Sequence, residues 1–239
     1  MFNGQNYFGM QKQPDKPTIQ SEIEKALFGL FKTKIDLIYC GRTDRGVSAK
    51  IMVANFLVDT NIEPLKISFA LNQFLPQDIK ILKSSEVDIN FNSRKSAKSK
   101  TYAYSLYISK INLPLYTHST MFKTNLDYNK MKKAIKYLKG THDFTSFVTP
   151  SCEIEDKTRT ISKVKIEKRV ENNIPHYTFY FTGNGFLYNQ VRIMVGTIIL
   201  AGLNKIKPKD IKRILKAKSR DKAGAVMPAE GLCLINLKY

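Results

Sequence analysis

The chain has 239 residues, 43% hydrophobic and 25% charged, enough for one large globular domain or two small ones. Its 39 Lys and Arg against 20 Asp and Glu leave a formal net charge of +19, which favours a polyanionic partner: nucleic acid or an anionic membrane surface. These figures exclude a collagen-like, a disulfide-rich or an acidic disordered chain.

The opening MFNGQNYFGMQKQP lacks a charged start followed by an apolar run, so it does not read as a secretory leader. Thr18 to Lys32 places Ile19, Ile23, Leu27, Leu30 and Phe31 on one helical face, with a capping box offered by Ser21 and Glu24. Strand-like runs follow at Ile35–Cys40 and Ile51–Val58. A helix is expected over Glu63–Phe74, with Pro64 in its first turn and Pro76 beyond its end, and then a strand at Ile79–Val87. Past a Lys- and Ser-rich stretch, Asn92–Lys100, comes a strand at Thr101–Ser109. The next helix, Asp127–Lys139, turns Met131, Ala134, Ile135 and Leu138 inward and stops at Gly140. Strands at Arg159–Arg169 and Tyr177–Phe181 lead to the longest and most apolar helix, Gly185–Leu203. A short helix, Pro208–Ala217, and a strand, Leu232–Leu237, complete the order.

Helices and strands alternate twice, with the seam in the Asn92–Lys100 stretch. This order predicts an α+β fold of two ferredoxin-like (RRM-like) halves, residues 1–95 and 96–239. Their antiparallel sheets would join around a central cleft, with helices packed on the outer faces. No sequence repeat supports a duplication, so the expectation rests on element order alone.

Abundant Lys, Ile and Asn fit drift in an AT-rich genome, but such drift would supply acids as readily. The charge is also uneven. Residues 1–99 hold 14 basic and 10 acidic side chains, whereas residues 100–239 hold 25 and 10, so the second half should carry most of the phosphate-contacting surface. Two basic clusters stand out there, Lys130 to Lys139 and Lys205 to Lys222; any single lysine in them is more simply a solvated charge. Cys40, Cys152 and Cys233 form no CxxC pair and His118, His142 and His176 are scattered, so no metal site or disulfide framework is expected. The longest apolar stretch, Ile193–Leu203, is too short to span a bilayer. The expected setting is cytoplasmic and reducing, with no membrane partner.

One segment could carry chemistry: Gly41-Arg42-Thr43-Asp44-Arg45-Gly46-Val47-Ser48-Ala49. A strand runs into a turn between two glycines, and the turn can hold one ionised carboxylate beside two guanidinium groups. Turn chemistry alone equally allows an Asx-turn aspartate with two solvated arginines.

GRTDRGVSA resembles the GRTDAGVHA signature of the tRNA pseudouridine synthase A family. In the family's order, Asn3 to Gln11 is similar to its DGxxYxGWQ opening, and Ser99 to Tyr104 to its K(R)TYxY strand. Gly185 to Gly196 resembles its GFLxxMVRxxVG helix. Gly140-Thr141-His142-Asp143-Phe144 and Pro228-Ala229-Glu230-Gly231-Leu232 look like further family landmarks, so the resemblance covers nearly the whole chain. It implies an isomerase acting on uridines around positions 38 to 40 in the anticodon arm of tRNA, without metal, nucleotide or redox cofactor. It also implies a homodimer in which one tRNA touches both subunits.

Carried over by position, Asp44 matches the catalytic aspartate, as a nucleophile at C1′ or a base at C2′. Tyr102 matches the active-site tyrosine, which could stack on an extruded uracil and relay the C5 proton. Tyr104 shares its strand face and counts as a substrate contact, although one of the pair could simply be core. Arg192 matches the arginine of the late helix; read as a mid-helix charge it needs a partner, and Asp44 is the one proposed. Leu187 would wall the uracil pocket. Arg42 matches the residue that fills the space of the flipped base, with a plain phosphate contact as the alternative. Arg45 stands where the family has a small residue, Ser48 where it has His, Met10 where it has Trp, and Ala103 where it often has Arg. Arg45 would add a substrate contact, and none of the four removes a catalytic group. A non-catalytic RNA-binding protein using the same aromatics and lysines is the competing reading.

Overall fold

In the computed structural model, which describes all 239 residues, the chain is a mixed helix–sheet protein with five α-helices. It forms two compact units, one of Met1–Lys98 with Asn236–Tyr239 and one of Ser99–Ile235. The last four residues thus belong to the unit that opens the chain.

In the first unit, α1 (Ile19–Phe31) buries Ile19, Ile23 and Leu27 of the expected face together with Ala26, while Leu30 and Phe31 at its end are half-buried. Its capping box is formed by Thr18 and Ser21 rather than by Ser21 and Glu24. Thr18 is the residue still in extended geometry (φ −131°), so its side chain is the one placed to accept the Ser21 N–H, at 3.1 Å. The strands are short: β1 (Ile38–Tyr39), β2 (Ser48–Ala49) and β3 (Ala54–Asn55), with β1 antiparallel to β3. Helix α2 (Pro64–Asn72) has Pro64 in its first turn as expected, with Glu63 as its N-cap, and ends two residues short of Phe74. The strand expected at Ile79–Val87 does not form. The Asn72 side-chain amide donates to Ile81 O at 2.9 Å and accepts the Ile81 N–H at 2.8 Å, taking both bonds that a neighbouring strand would have made. The returning tail closes this unit. Lys98 N donates to Lys238 O at 2.8 Å, the Tyr239 hydroxyl donates to Ser93 O at 2.9 Å, and the Tyr239 ring tilts against Phe91.

The second unit holds β4 (Ser99–Ile108), β5 (Thr120–Phe122), α3 (Tyr128–Ala134), β6 (Gly140–Asp143), β7 (Thr158–Glu171), β8 (Ile174–Gly183), α4 (Gln190–Gly202), α5 (Asp210–Ala217) and β9 (Leu232–Lys238), whose last residues cross into the first unit. The sheet order is β9-β4-β8-β7-β6, antiparallel from β4 to β6, with β5 added parallel to β4. Strands β7 and β8 outrun their expected lengths because Asn172 and Asn173, both at positive φ, form a two-residue hairpin turn between them. Tyr102, Tyr104 and Leu106 alternate onto one face of β4, opposite Phe181, Phe179 and Tyr177 of β8, and all six are buried. Burying each such side chain is worth about 1.5–3 kcal/mol. Helices α3 and α4 pack on this sheet and on each other.

Two helices differ from expectation. After Ala134 the chain tightens into a 3-10 turn, Ile135–Leu138, before Gly140 at φ +119°. Helix α4 begins at Gln190 rather than Gly185, because Asn189 is left-handed (φ 58°) and stops helical geometry from extending backward. Residues 184–189 are therefore a loop.

Candidate active site

The loop after β1 is built as a tight turn. Val47 N–H donates to Asp44 O at 3.1 Å and Gly46 sits at φ +81°, so Asp44-Arg45-Gly46-Val47 is a type II turn with glycine at the position that demands it. Val47 is buried, Asp44 half-buried, and Arg42 and Arg45 are exposed on either side. The N-terminal segment holds the turn from beneath. Met10 N–H donates to Thr43 O at 3.1 Å, Gly46 N–H to Tyr7 O at 3.2 Å, and Gly4 N–H to Ser48 Oγ at 3.0 Å. The approach is close enough that a Cβ on Gly9 would lie 2.6 Å from Thr43 O.

Three of the residues that depart from the family pattern take part in this packing. Ser48 is buried and serves as the acceptor for Gly4, Met10 is fully buried beside the turn, and Arg45 stacks 4.2 Å from the centre of the Phe8 ring. Arg42 lies against the Tyr39 phenol. Burial raises the phenol's pKa, and the hydrogen-bonded guanidinium works against that rise. Thr43 Oγ1 is buried with no hydrogen-bond partner, next in sequence to Asp44.

The other expected residues lie in the second unit. Tyr102 is buried near the start of β4, its ring edge-on to Phe186 at 5.3 Å and 84°. Tyr104 is fully buried. Its hydroxyl donates to Pro228 O at 2.9 Å and bonds Thr120 Oγ1 at 2.6 Å, while burial pushes the phenol well above its ordinary pKa. It packs as core and backs the Pro228–Leu232 segment, where Gly231 leaves room for its ring.

Arg192 is the third residue of α4, so it stands in the first turn and not mid-helix. Its Nε donates to Met227 O at 2.5 Å and its Nη1 to Asn189 Oδ1 at 2.6 Å. Two of the five guanidinium N–H groups are thereby fixed, which orients the planar fork. Leu187 is buried ahead of the helix, its N–H on Gln190 Oε1 at 2.8 Å and its carbonyl accepting the Gln190 N–H at 3.0 Å. Phe186 thus meets Tyr102 at the head of the segment that also carries Leu187 and Arg192, whereas Arg42, Asp44 and Arg45 share the loop of the first unit.

A family model described as tRNA pseudouridine synthase matches residues 1–94 and 134–239. The chain belongs to the tRNA pseudouridine synthase family. It is accordingly an enzyme, an isomerase that makes pseudouridine from uridine in tRNA. "tRNA pseudouridine synthase A" of Acetivibrio thermocellus is 42% identical over 239 residues, covering 100% of this chain and 96% of that protein. The protein of the same name from Clostridium acetobutylicum is 43% identical over 241 residues, with the same coverage. "tRNA pseudouridine synthase A 2" of Clostridium tetani is 44% identical over 245 residues, again covering 100% and 96%. Tyr102 and Tyr104 lie between the two matched stretches of the family model, but these relatives align across them. Among solved structures, one titled "Crystal Structure of a Cbf5-Nop10-Gar1 Complex" aligns with a TM-score of 0.37 and 11% identity over 99% of this chain and 57% of that one, too distant a likeness to bear on the fold.

Sequence reading passed over Phe8, Phe186 and Asn189. Each lies inside a recognised motif, and the signal that could have found Asn189 is its residue type, since asparagine tolerates a left-handed backbone just before a helix. No group of three or more His, Cys, Asp or Glu side chains is placed to hold a metal ion, and no helix is long and apolar enough to cross a membrane.

Proposed function

We propose that this isomerase acts on uridines at positions 38 to 40 in the anticodon arm of tRNA, with Asp44 as the group on which the chemistry depends. The observation that carries this is the type II turn, which presents one half-buried carboxylate between the exposed Arg42 and Arg45. The reaction breaks the C1′–N1 bond, turns the base, forms a C1′–C5 bond and moves the C5 proton away while N1 regains one. Substrate and product have the same atoms, and no oxidant or co-substrate enters.

Asp44 begins this either by attacking C1′ or by taking the C2′ proton. Arg192, its plane fixed by Asn189 and Met227, orients the Asp44 carboxylate. Tyr102 stacks on the extruded uracil and relays the C5 proton, and Leu187 walls the pocket. Arg42 fills the gap left by the flipped base, recovering part of the few kcal/mol that unstacking costs. Arg45 contacts the RNA backbone next to the target. Tyr104, whose hydroxyl is already bonded inside the core, supports the Pro228–Leu232 segment. We read each unit as a ferredoxin-like half and the working protein as a cytoplasmic homodimer; a solution mass near that of one chain would reject the dimer.

The test maps pseudouridine in unmodified tRNA after treatment with the purified protein, beside Asp44→Ala. Wild type should convert uridine at positions 38 to 40, and Asp44→Ala should bind tRNA with unchanged affinity and convert none. Conversion by Asp44→Ala, or conversion confined to another arm of the tRNA, would overturn the proposal.

A further inference from the structure

Residues 127–139 and 205–222, about an eighth of the chain, hold 14 of its 39 basic residues and three of its 20 acids. The structure brings the two segments side by side. Helix α5 packs against the 3-10 turn Ile135–Leu138, and Lys212 Nζ lies 5.1 Å from the centre of the Tyr137 ring. Ile211, Ile214 and Leu215 face inward on α5, as do Met131, Ala134 and Ile135 across α3 and the turn. Helical spacing then leaves Lys132, Lys133, Lys136, Lys212 and Lys216 outward, and all five are exposed.

The three acids do not neutralise this face. Asp127 caps α3 through the Lys130 N–H, Asp210 pairs with Arg213 at 3.0 Å, and Asp221 is held by Ser219 and Lys222. None of the five lysines has a carboxylate partner. A face this dense in unpaired ammonium groups repels itself unless a polyanion covers it.

Its place relative to Arg192 says which part of a polyanion it meets. Arg192 is in the first turn of α4, while Gly202 at the far end lies against Met131 of α3; ten residues of helix separate the two, about 15 Å. That span equals roughly four stacked nucleotides, too far for the phosphates that flank one flipped uridine. We propose that the α3–α5 face is a second RNA-backbone site, which grips phosphates of the tRNA body outside the target loop. The inference rests on tRNA being the substrate and deepens the reading above.

The test is a fourfold variant, Lys133→Ala, Lys136→Ala, Lys212→Ala and Lys216→Ala, with a fourfold Lys→Arg control and a thermal melt to show that both fold. Affinities are measured across a salt series for a full-length tRNA transcript and for a minimal hairpin, the anticodon loop closed by only two base pairs, which stops short of the phosphates four nucleotides from the target. For the full tRNA, the Ala variant should bind at least tenfold more weakly, and the slope of log affinity against log salt should be shallower by about two to four. Its affinity for the hairpin should stay within twofold, kcat at saturating tRNA should not change, and the Arg control should bind as wild type does. Equal losses on both RNAs, or no loss on either, would overturn the proposal. Binding is read without turnover, so a protein that modifies a different uridine leaves this test intact.

Discussion

The Arg45 guanidinium lies over the Phe8 ring, 4.2 Å from its centre, and Lys16 Nζ approaches the same ring at 5.1 Å. One residue after Asp44, the loop is thus tied to the N-terminal segment through a side chain as well as through its backbone. An exposed cation–π contact is worth about 0.5–1 kcal/mol, a factor of two to five in binding. Phe8→Ala should therefore raise KM for tRNA by about that factor and leave kcat within twofold. Arg45→Ala should lose at least as much, and adding Phe8→Ala to it should cost little more. Strictly additive losses in this double-mutant cycle would show that the stack does not hold Arg45 for the RNA.

Gly46 occupies a left-handed position that only glycine adopts freely, and asparagine tolerates it better than alanine. Strain of about 1–2 kcal/mol in Gly46→Ala should shift Asp44. Initial rates of pseudouridine formation should rank wild type above Gly46→Asn above Gly46→Ala. An alanine variant as fast as wild type would mean that the turn does not position the carboxylate.

In an exposed helix, Gly→Ala gains up to about 1 kcal/mol. Gly196 of α4 should show the opposite sign, because a Cβ there would stand 2.1 Å from Ala225 O, a backbone atom that cannot turn aside. The clash should outweigh the propensity gain by about 2 kcal/mol, lowering Tm by about 4–8 °C. Because the displaced segment leads to Met227, whose carbonyl accepts from Arg192, activity at temperatures well below Tm should fall too.

Asp143 sets one limit of acid stability. Burial works to raise its pKa, but hydrogen bonds from Lys218 Nζ (2.8 Å) and from the Thr145 hydroxyl and N–H hold it at about 2, against 3.8 for a free side chain. A folded-state pKa below the unfolded one contributes stability above about pH 4, which is lost as pH falls toward 2. After allowance for solvent screening the contribution is about 1 kcal/mol. Denaturant unfolding of wild type and Asp143→Asn should therefore differ by that amount at pH 6 and converge near pH 2. A gap that persists at pH 2 would assign the loss to packing.

What the sequence made legible follows the range of the interactions involved. Helix α1 and the inward face of α3 could be read because apolar spacing within one element sets them. No strand forms at Ile79–Val87 because the side-chain amide of Asn72, nine positions before Ile81, takes that residue's backbone bonds. The start of α4 was misplaced because apolar content continues through Leu187 while the backbone turns left-handed at Asn189. At the site, the Asp44 loop could be recognised from residues adjacent in sequence. The acceptor that fixes Arg192 comes from Met227, 35 positions away, with no local pattern to announce it.

The tail that completes the first unit has a consequence for how the protein is made. Asn236–Tyr239 emerge from the ribosome only after all of Ser99–Ile235, so the unit bearing Asp44 cannot close while the other is still being synthesised. The Tyr239 bond to Ser93 and the Lys238 bond to Lys98 wait for that moment. Nascent chains should therefore fold their later-made portion ahead of, or together with, the earlier one, reversing the usual order of domain-by-domain folding during translation. A fragment ending at Lys98 should remain sensitive to protease, and supplying the missing strand residues should be needed to protect it.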